Sequence, residues 1–157
     1  MPSNKQKLGE KGENLVTKKC HCPRCKRPKT LRRLRANFKC ADIICDFCGY
    51  LAQVKTMPRY TESLPDSLLS ASWKVQKARI DAGIYIPLFL VQVEGKRIRI
   101  AYLAADLQVE EMFSPRKPLS STAKRSGWQG FVYNFDEEQK KRFVTIVDIG
   151  STKKIDS

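Results

Sequence analysis

The sequence predicts a mixed α/β fold, a sheet flanked by helices with a pair of cysteine knuckles inserted into it. Three observations carry this prediction. The almost wholly apolar run Ile86 to Glu94 is followed, across Gly95-Lys96, by the alternating Arg97-Ile98-Arg99-Ile100 of a second run that ends at Leu103. That is the pattern of a central strand joined by a tight turn to a neighbour with one wet face. Leu68, Leu69, Ser72, Val75, Gln76 and Arg79 fall near helical spacing. Cys22-Pro23-Arg24-Cys25 and Cys45-Asp46-Phe47-Cys48 supply two Cys-x-x-Cys pairs.

The remaining elements follow in order. Residues 1–7 are polar and expected to fray. Leu8 to Lys19 can form a short helix anchored by Leu8, Leu15 and Val16. Lys26 to Lys39 is dense in Arg and Lys and reads as an exposed loop or short helix tied down by the knuckles. Ala41 to Ile44 and Tyr50 to Thr56 read as short strands connected by the second knuckle. Ser63-Leu64-Pro65-Asp66 has the signature of a helix start, a Ser cap with an acid three residues on and Pro in the first turn; that helix is expected to end at Gly83. Ser114 to Gly127 reads as a Ser/Pro/Lys-rich loop. Phe131-Val132-Tyr133 and Phe143 to Ile149 read as the final strands, separated by a polar turn or helix from Asp136 to Arg142. No internal repeat is found. The expected organisation is a single domain over 8–150 with a short tail, 151–157.

With 157 residues there is room for one core and little for a second domain. Hydrophobic residues make up 41%, an ordinary globular share, but the formal net charge is +14, from 30 basic and 16 acidic residues. Such an excess attracts polyanions, nucleic acid first among them. An anionic membrane surface is the rival, yet no apolar run approaches the roughly 20 residues that span a bilayer, and Ile84 to Val93 is broken by Pro87. The N-terminus has no apolar core of a signal peptide. The expected location is the cytoplasm, where six cysteines serve as ligands or free thiols rather than disulfides.

Structural zinc takes four tetrahedral ligands, commonly two Cys-x-x-Cys pairs whose tight turns bring both sulfurs to one face of the ion. Cys22, Cys25, Cys45 and Cys48 meet this pattern. Cys20 and Cys40 could substitute as ligands but form no such pair of their own, and His21, the sole histidine, reads as an exposed spacer. Four thiolates leave no open position, so the zinc is expected to be structural.

Around this frame Asp42 offers a carboxylate, Gln53 an amide oxygen and Lys55 a cation. Side chains alternate along a strand, so Gln53 and Lys55 share a face while Val54 points into the core. Hydrolysis of a phosphodiester needs charge neutralisation and an activated water. Hard oxygen ligands that hold Mg²⁺ or Mn²⁺, with a lysine beside them, supply both. On its own the trio is a weak signal, and solvated strand residues are the better reading of it.

Several segments together resemble the catalytic domain of the DpnI-like restriction endonucleases, a methyladenine-dependent branch of the PD-(D/E)xK nuclease superfamily with a four-cysteine zinc site. They are Cys22-Pro23-Arg24-Cys25, Ala41-Asp42 leading into the second knuckle, Gln53-Val54-Lys55, Arg116-Lys117-Pro118-Leu119, Thr122-Ala123-Lys124-Arg125 and Gly127-Trp128-Gln129-Gly130. The likeness runs from about Glu13 to Asp148. It implies a restriction-endonuclease-like mixed sheet flanked by helices and cleavage of double-stranded DNA. Asp42 becomes the first metal-binding acid, Gln53 stands in the place of the usual Glu, and Lys55 is the catalytic lysine. Glu13 matches a first-helix glutamate that contributes to the metal site, and the Val54 carbonyl becomes a further ligand. Gln53 removes one negative charge, so weaker metal binding is expected. The chain stops soon after Ile149, so a following winged-helix domain, and with it methyl-specific recognition, is not expected to carry over.

Phosphate-contact candidates are Arg32, Arg33 and Arg35 in the first basic run and Arg116, Lys117, Lys124 and Arg125 in the second. If about six phosphates are neutralised, the log–log salt slope should be on the order of −5. Trp73 and Trp128 could stack on bases but suit the core better, and Gln76 could hydrogen-bond near the catalytic strand. A non-catalytic zinc-ribbon binder of nucleic acid and an inactive nuclease fold are the alternatives. Cutting both strands requires a homodimer or sequential nicking; the sequence shows no dimer seam, recognition site or cut position.

Overall fold

The computed structural model describes residues 3–36, 38, 40–116 and 129–150. In chain order its elements are α1 (Asn4–Lys19), β1 (Leu31–Arg33), β2 (Ile43–Cys45), β3 (Leu51–Met57), β4 (Ser67–Ser70), α2 (Trp73–Asp81), β5 (Leu88–Glu94), β6 (Arg97–Leu103), β7 (Phe113–Pro115), β8 (Phe131–Asn134), α3 (Glu137–Lys140) and β9 (Val144–Ile149). They divide into two compact units, one drawn from residues up to Glu62, Ile86–Ala104 and Phe143 onward, the other from Ser63–Tyr85 and Ala105–Arg142.

The first unit is a six-stranded mixed sheet in the order β1-β2-β3-β5-β6-β9, with α1 packed against β3. β3 and β5 are parallel and every other neighbouring pair is antiparallel. β5 is buried over its first six residues, as its apolar run predicts, and the β5–β6 hairpin turns at Gly95-Lys96 with Glu94 opposite Arg97. Gly95 takes a φ of 60°, which glycine adopts without a Cβ penalty. Val16, Leu31, Ile43, Ala52, Val54, Phe89, Val91 and Ile100 form the core between helix and sheet.

α1 begins at Asn4, four residues before the apolar pattern suggests. Ser3 and Gln6 form a reciprocal capping box that satisfies the first free N–H groups. The segment expected to be a basic loop or short helix contains a strand instead. Leu31 is buried opposite Cys45, and Arg32 and Arg33 pair with Ile44 and Ile43. The knuckles bring the two segments together antiparallel.

The second unit holds a three-stranded sheet, β4-β8-β7, with α2 and α3. The single helix expected from Ser63 to Gly83 is divided. Leu68 is buried opposite Tyr133 while Leu69 is exposed, an alternation that belongs to a strand, and Ser72 turns into the left-handed region at φ 75° before α2 starts. Leucines at 68 and 69 with Ser72 and Val75 fit both periods over so short a span, and pairing with β8 decides. Gly83, at φ 73°, follows the end of α2 as predicted. β7 occupies the start of the expected loop, where Arg116 N–H donates to the Gly130 carbonyl and Gln129 Nε2 donates to the Arg116 carbonyl, 2.7 Å away. The ends of two of the sequence blocks that carry the family resemblance therefore meet.

Candidate functional site

The two knuckles are built alike. In each, the N–H of the second cysteine lies 3.5 Å from the first sulfur, and the N–H of the following residue donates to the first cysteine's carbonyl at 2.9 Å (Lys26 to Cys22, Gly49 to Cys45). The closing residue is left-handed in both, Lys26 at φ 65° and Gly49 at φ 79°. The Sγ atoms of Cys22, Cys25, Cys45 and Cys48 all lie within 4.8 Å of one another, with Cys22 to Cys48 at 3.5 Å and Cys25 to Cys45 at 3.7 Å. Sulfurs on a tetrahedron with bonds of about 2.3 Å lie about 3.8 Å apart, so the cluster is compatible with a zinc site. Thr30 Oγ1 lies 3.2 Å from Cys45 Sγ, an outer partner that no spacing in the sequence announces. Cys20 stands outside the cluster in the core, where burial pushes its thiol up to about 12. Cys40 is likewise no member, and His21 is exposed.

Asp42 sits immediately before β2, where the β2–β3 ladder ends. Its N–H donates to the Ala52 carbonyl at 3.0 Å, and its Oδ2 accepts the Val54 N–H at 2.8 Å. A side chain thus takes the place of the next backbone partner. β3 is held on its other edge by β5, where Gln53 N–H donates to the Pro87 carbonyl. A strand residue's N–H and C=O lie on the same edge, so the Val54 carbonyl emerges on the Asp42 side. Ala52 and Val54 are buried while Gln53 and Lys55 are half-buried on the other face, as alternation requires.

Glu13 comes from α1. Its Oε1 lies 3.1 Å from Arg33 Nε on β1. Burial raises the Glu13 pKa, against the lowering effect of the Arg33 hydrogen bond, and the Asp42 charge raises it further. Burial lowers the Lys55 pKa, with Asp42 acting in the opposite sense. Glu13 on α1 and Lys55 on β3 therefore each sense the charge of Asp42, within one unit. Gly12, missed in the sequence, is what lets α1 approach: a Cβ there would lie 1.8 Å from Thr56 Oγ1 on β3. A glycine inside a helical pattern is the available signal for such a close approach.

Of the cationic candidates, Arg33 is paired with Glu13, Arg32 pairs with Asp46 at 3.0 Å, and Arg35 and Arg116 are exposed. Lys117, Lys124, Arg125 and Trp128 lie outside the described residues. Trp73 is half-buried against Phe131, and Gln76 is buried on α2 in the second unit. Among the described residues no helix is long and apolar enough to cross a membrane.

The family model described as DpnI: Dam-replacing family matches residues 2–156. The match takes in both knuckles, Glu13, Asp42 and the Gln53-Val54-Lys55 strand, and it carries the fold and a restriction-type nuclease character with it. The chain belongs to the DpnI, or Dam-replacing, family of restriction-endonuclease-like proteins.

Proposed function

We propose that this protein is a metal-dependent endonuclease of type II restriction type that hydrolyses phosphodiester bonds in double-stranded DNA. The observation that carries the reading is the Asp42 carboxylate meeting the Val54 N–H between Gln53 and Lys55, with Glu13 close enough to feel its charge. The donors proposed for the site are all hard oxygens, the set that suits Mg²⁺ or Mn²⁺ rather than zinc.

Asp42, Gln53, Glu13 and the Val54 carbonyl would hold the ion, which when bound neutralises the scissile phosphate and acidifies the attacking water. Lys55 supplies a cation at the same face of β3; the half-buried setting that lowers its pKa also strengthens its pull on charge developing at the phosphate. Asp42 both anchors β3 through Val54 and presents its carboxylate, so its position is fixed before substrate arrives. The zinc proposed at the four thiolates is structural, because that donor set leaves no open position. Arg35, Arg116, Lys117, Lys124 and Arg125 are the proposed phosphate contacts, in keeping with the net charge of +14, and Arg32 and Arg33 join them only where DNA displaces their carboxylate partners Asp46 and Glu13. Each chain brings one such constellation, so a double-strand break takes two chains or two successive nicks. The Arg33–Glu13 pair is the observation that favours an inactive nuclease fold, since it occupies a carboxylate the metal needs.

The test is cleavage of plasmid DNA, methylated or unmethylated at adenine, with Mg²⁺ or Mn²⁺, beside an Asp42→Asn control. Discrete fragments lost in the variant are expected. Zinc-loaded protein that retards DNA but cuts none with either ion would leave the binding module or the inactive fold.

A further inference from the structure

We infer that the tip of the cysteine knuckles is a second DNA contact, a phosphate clamp in which the exposed Phe47 ring holds the Arg27 guanidinium ready for the backbone of duplex DNA away from the cleavage site. The choice of duplex DNA as partner rests on the nuclease reading; the clamp itself rests on separate observations.

The arginines of the first knuckle lie over aromatic rings of the second. Arg27 Cζ is 3.8 Å from the Phe47 centroid and Arg24 Cζ is 5.2 Å from that of Tyr50. Tyr50 is half-buried and hydrogen-bonded to Tyr102 through their hydroxyls, whereas Phe47 is 60% exposed. An exposed phenylalanine at a turn contributes little to a core. What it does here is fix a guanidinium, whose N–H groups lie in the plane of the fork and stay available to a phosphate while its face rests on the ring. Less rotamer freedom is then lost on binding.

The backbone points the same way. The left-handed residue that closes the second knuckle is Gly49, but its counterpart in the first is Lys26, and Lys29 is left-handed as well at φ 59°. Glycine bears that conformation without steric cost, so the first knuckle carries a strained backbone with cations at both positions. Arg24, Lys26, Arg27 and Lys29 are all exposed, and among the described residues none of them is in an ion pair. The adjacent carboxylate, Asp46, faces Arg32. Asp42 precedes β2 and Cys45 ends it, so the second knuckle begins about 10 Å along the strand from Asp42, the rise of about three base pairs. It would grip phosphates flanking the cut.

The experiment is binding of a fluorescent 20-base-pair duplex across a salt series without added Mg²⁺, with zinc content and melting temperature measured for each protein. Arg27→Ala should make the log–log slope shallower by about 0.9, and the Lys26→Ala/Arg27→Ala/Lys29→Ala triple variant by about 2.7. Phe47→Ala should weaken binding about two- to fivefold with the slope unchanged, and Phe47→Tyr should restore it. Zinc-loaded variants that bind like the wild type at every salt concentration overturn the clamp. Plasmid cleavage run in parallel separates the two readings. Wild-type cleavage with unaltered variant binding sinks the clamp alone, whereas the expected slope changes without cleavage sink the nuclease alone.

Discussion

Gly12 of α1 lies so close to β3 that a Cβ there would sit 1.8 Å from Thr56 Oγ1 and 2.9 Å from Thr56 Cβ. The Thr56 hydroxyl is buried and has no hydrogen-bond partner among the described residues. Helix and strand are thus pressed together at the residue before Glu13 and the residue after Lys55.

Gly12→Ala should therefore displace α1 even though alanine is the better helix former. The expected destabilisation is about 1–3 kcal/mol, the usual range for overpacking. Activity should fall further than stability, because Glu13 moves with the helix. Thr56→Ala removes the closest atom and an unpaired hydroxyl, so it should be nearly neutral alone and recover part of the loss in the double variant. Urea midpoints for the four proteins give the coupling energy; strict additivity would show that the contact does not hold the two elements apart.

Much of this arrangement was legible in the chain. The apolar Leu88-Phe89-Leu90-Val91 run and the alternation of Arg97 to Ile100 locate the centre of the sheet, because burial on both faces and on one face leave different patterns. The spacing within the knuckles locates four sulfurs, and the parity of Gln53 and Lys55 locates the face of β3. What was not legible depends on partners remote in sequence. Leu31-Arg32-Arg33 has no strand pattern of its own and becomes β1 because the knuckles lay it beside Ile43 to Cys45. Leu68 and Leu69 satisfy either period until Tyr133 arrives opposite Leu68. Arg33 reads as a phosphate contact in a basic run, yet it reaches across to Glu13, twenty positions earlier. No local periodicity encodes that pair.

Removal of zinc should unfold at least the knuckle region. Structural zinc binding in small sites contributes on the order of 10–16 kcal/mol, as much as a whole domain's stability. One zinc per chain is expected by elemental analysis. Cys25→Ser or Cys48→Ser should lose most of it and lower the melting temperature, whereas Cys40→Ser should keep both. Full retention of zinc by Cys25→Ser would place the ion elsewhere.

Lys55→Met should separate function from stability. Lys55 is half-buried, and desolvation holds its pKa below the usual lysine range. For a cation with a lowered folded pKa, the unfolded chain binds more protons between the two values. Stability therefore rises with pH across that window, and the charged lysine is a burden at neutral pH. Methionine removes the burden and keeps the packing. Cleavage should drop at least about 100-fold, while the melting temperature holds or rises. A melting temperature lowered by more than about 4 °C would mean that Lys55 is chiefly structural.

Asp42 has two duties that Asp42→Asn and Asp42→Ala can tell apart. Its Oδ2 accepts the Val54 N–H, and its charge serves the proposed metal site. Asparagine keeps an acceptor oxygen, so the variant should fold with about wild-type stability and still lose cleavage. Alanine leaves the half-covered N–H of Val54 without a partner and should cost a further 1–3 kcal/mol or so. Equal melting temperatures for the two variants would show that the carboxylate does not secure β3.

Gln53→Glu should tighten the catalytic ion rather than disrupt the fold. Glutamate has the same length and sits on the same half-buried face of β3, but it adds a negative charge to a site whose other acid, Glu13, is partly neutralised by Arg33. A carboxylate holds a hard cation more strongly than an amide oxygen, so the Mg²⁺ concentration for half-maximal cleavage should fall severalfold. The added charge also raises the repulsion with Asp42, so without the divalent ion the variant should be slightly less stable than wild type, and with saturating Mg²⁺ that order should reverse. Melting curves with and without Mg²⁺ read this directly. An unchanged Mg²⁺ requirement, with no ion-dependent gain in melting temperature, would place the metal away from residue 53.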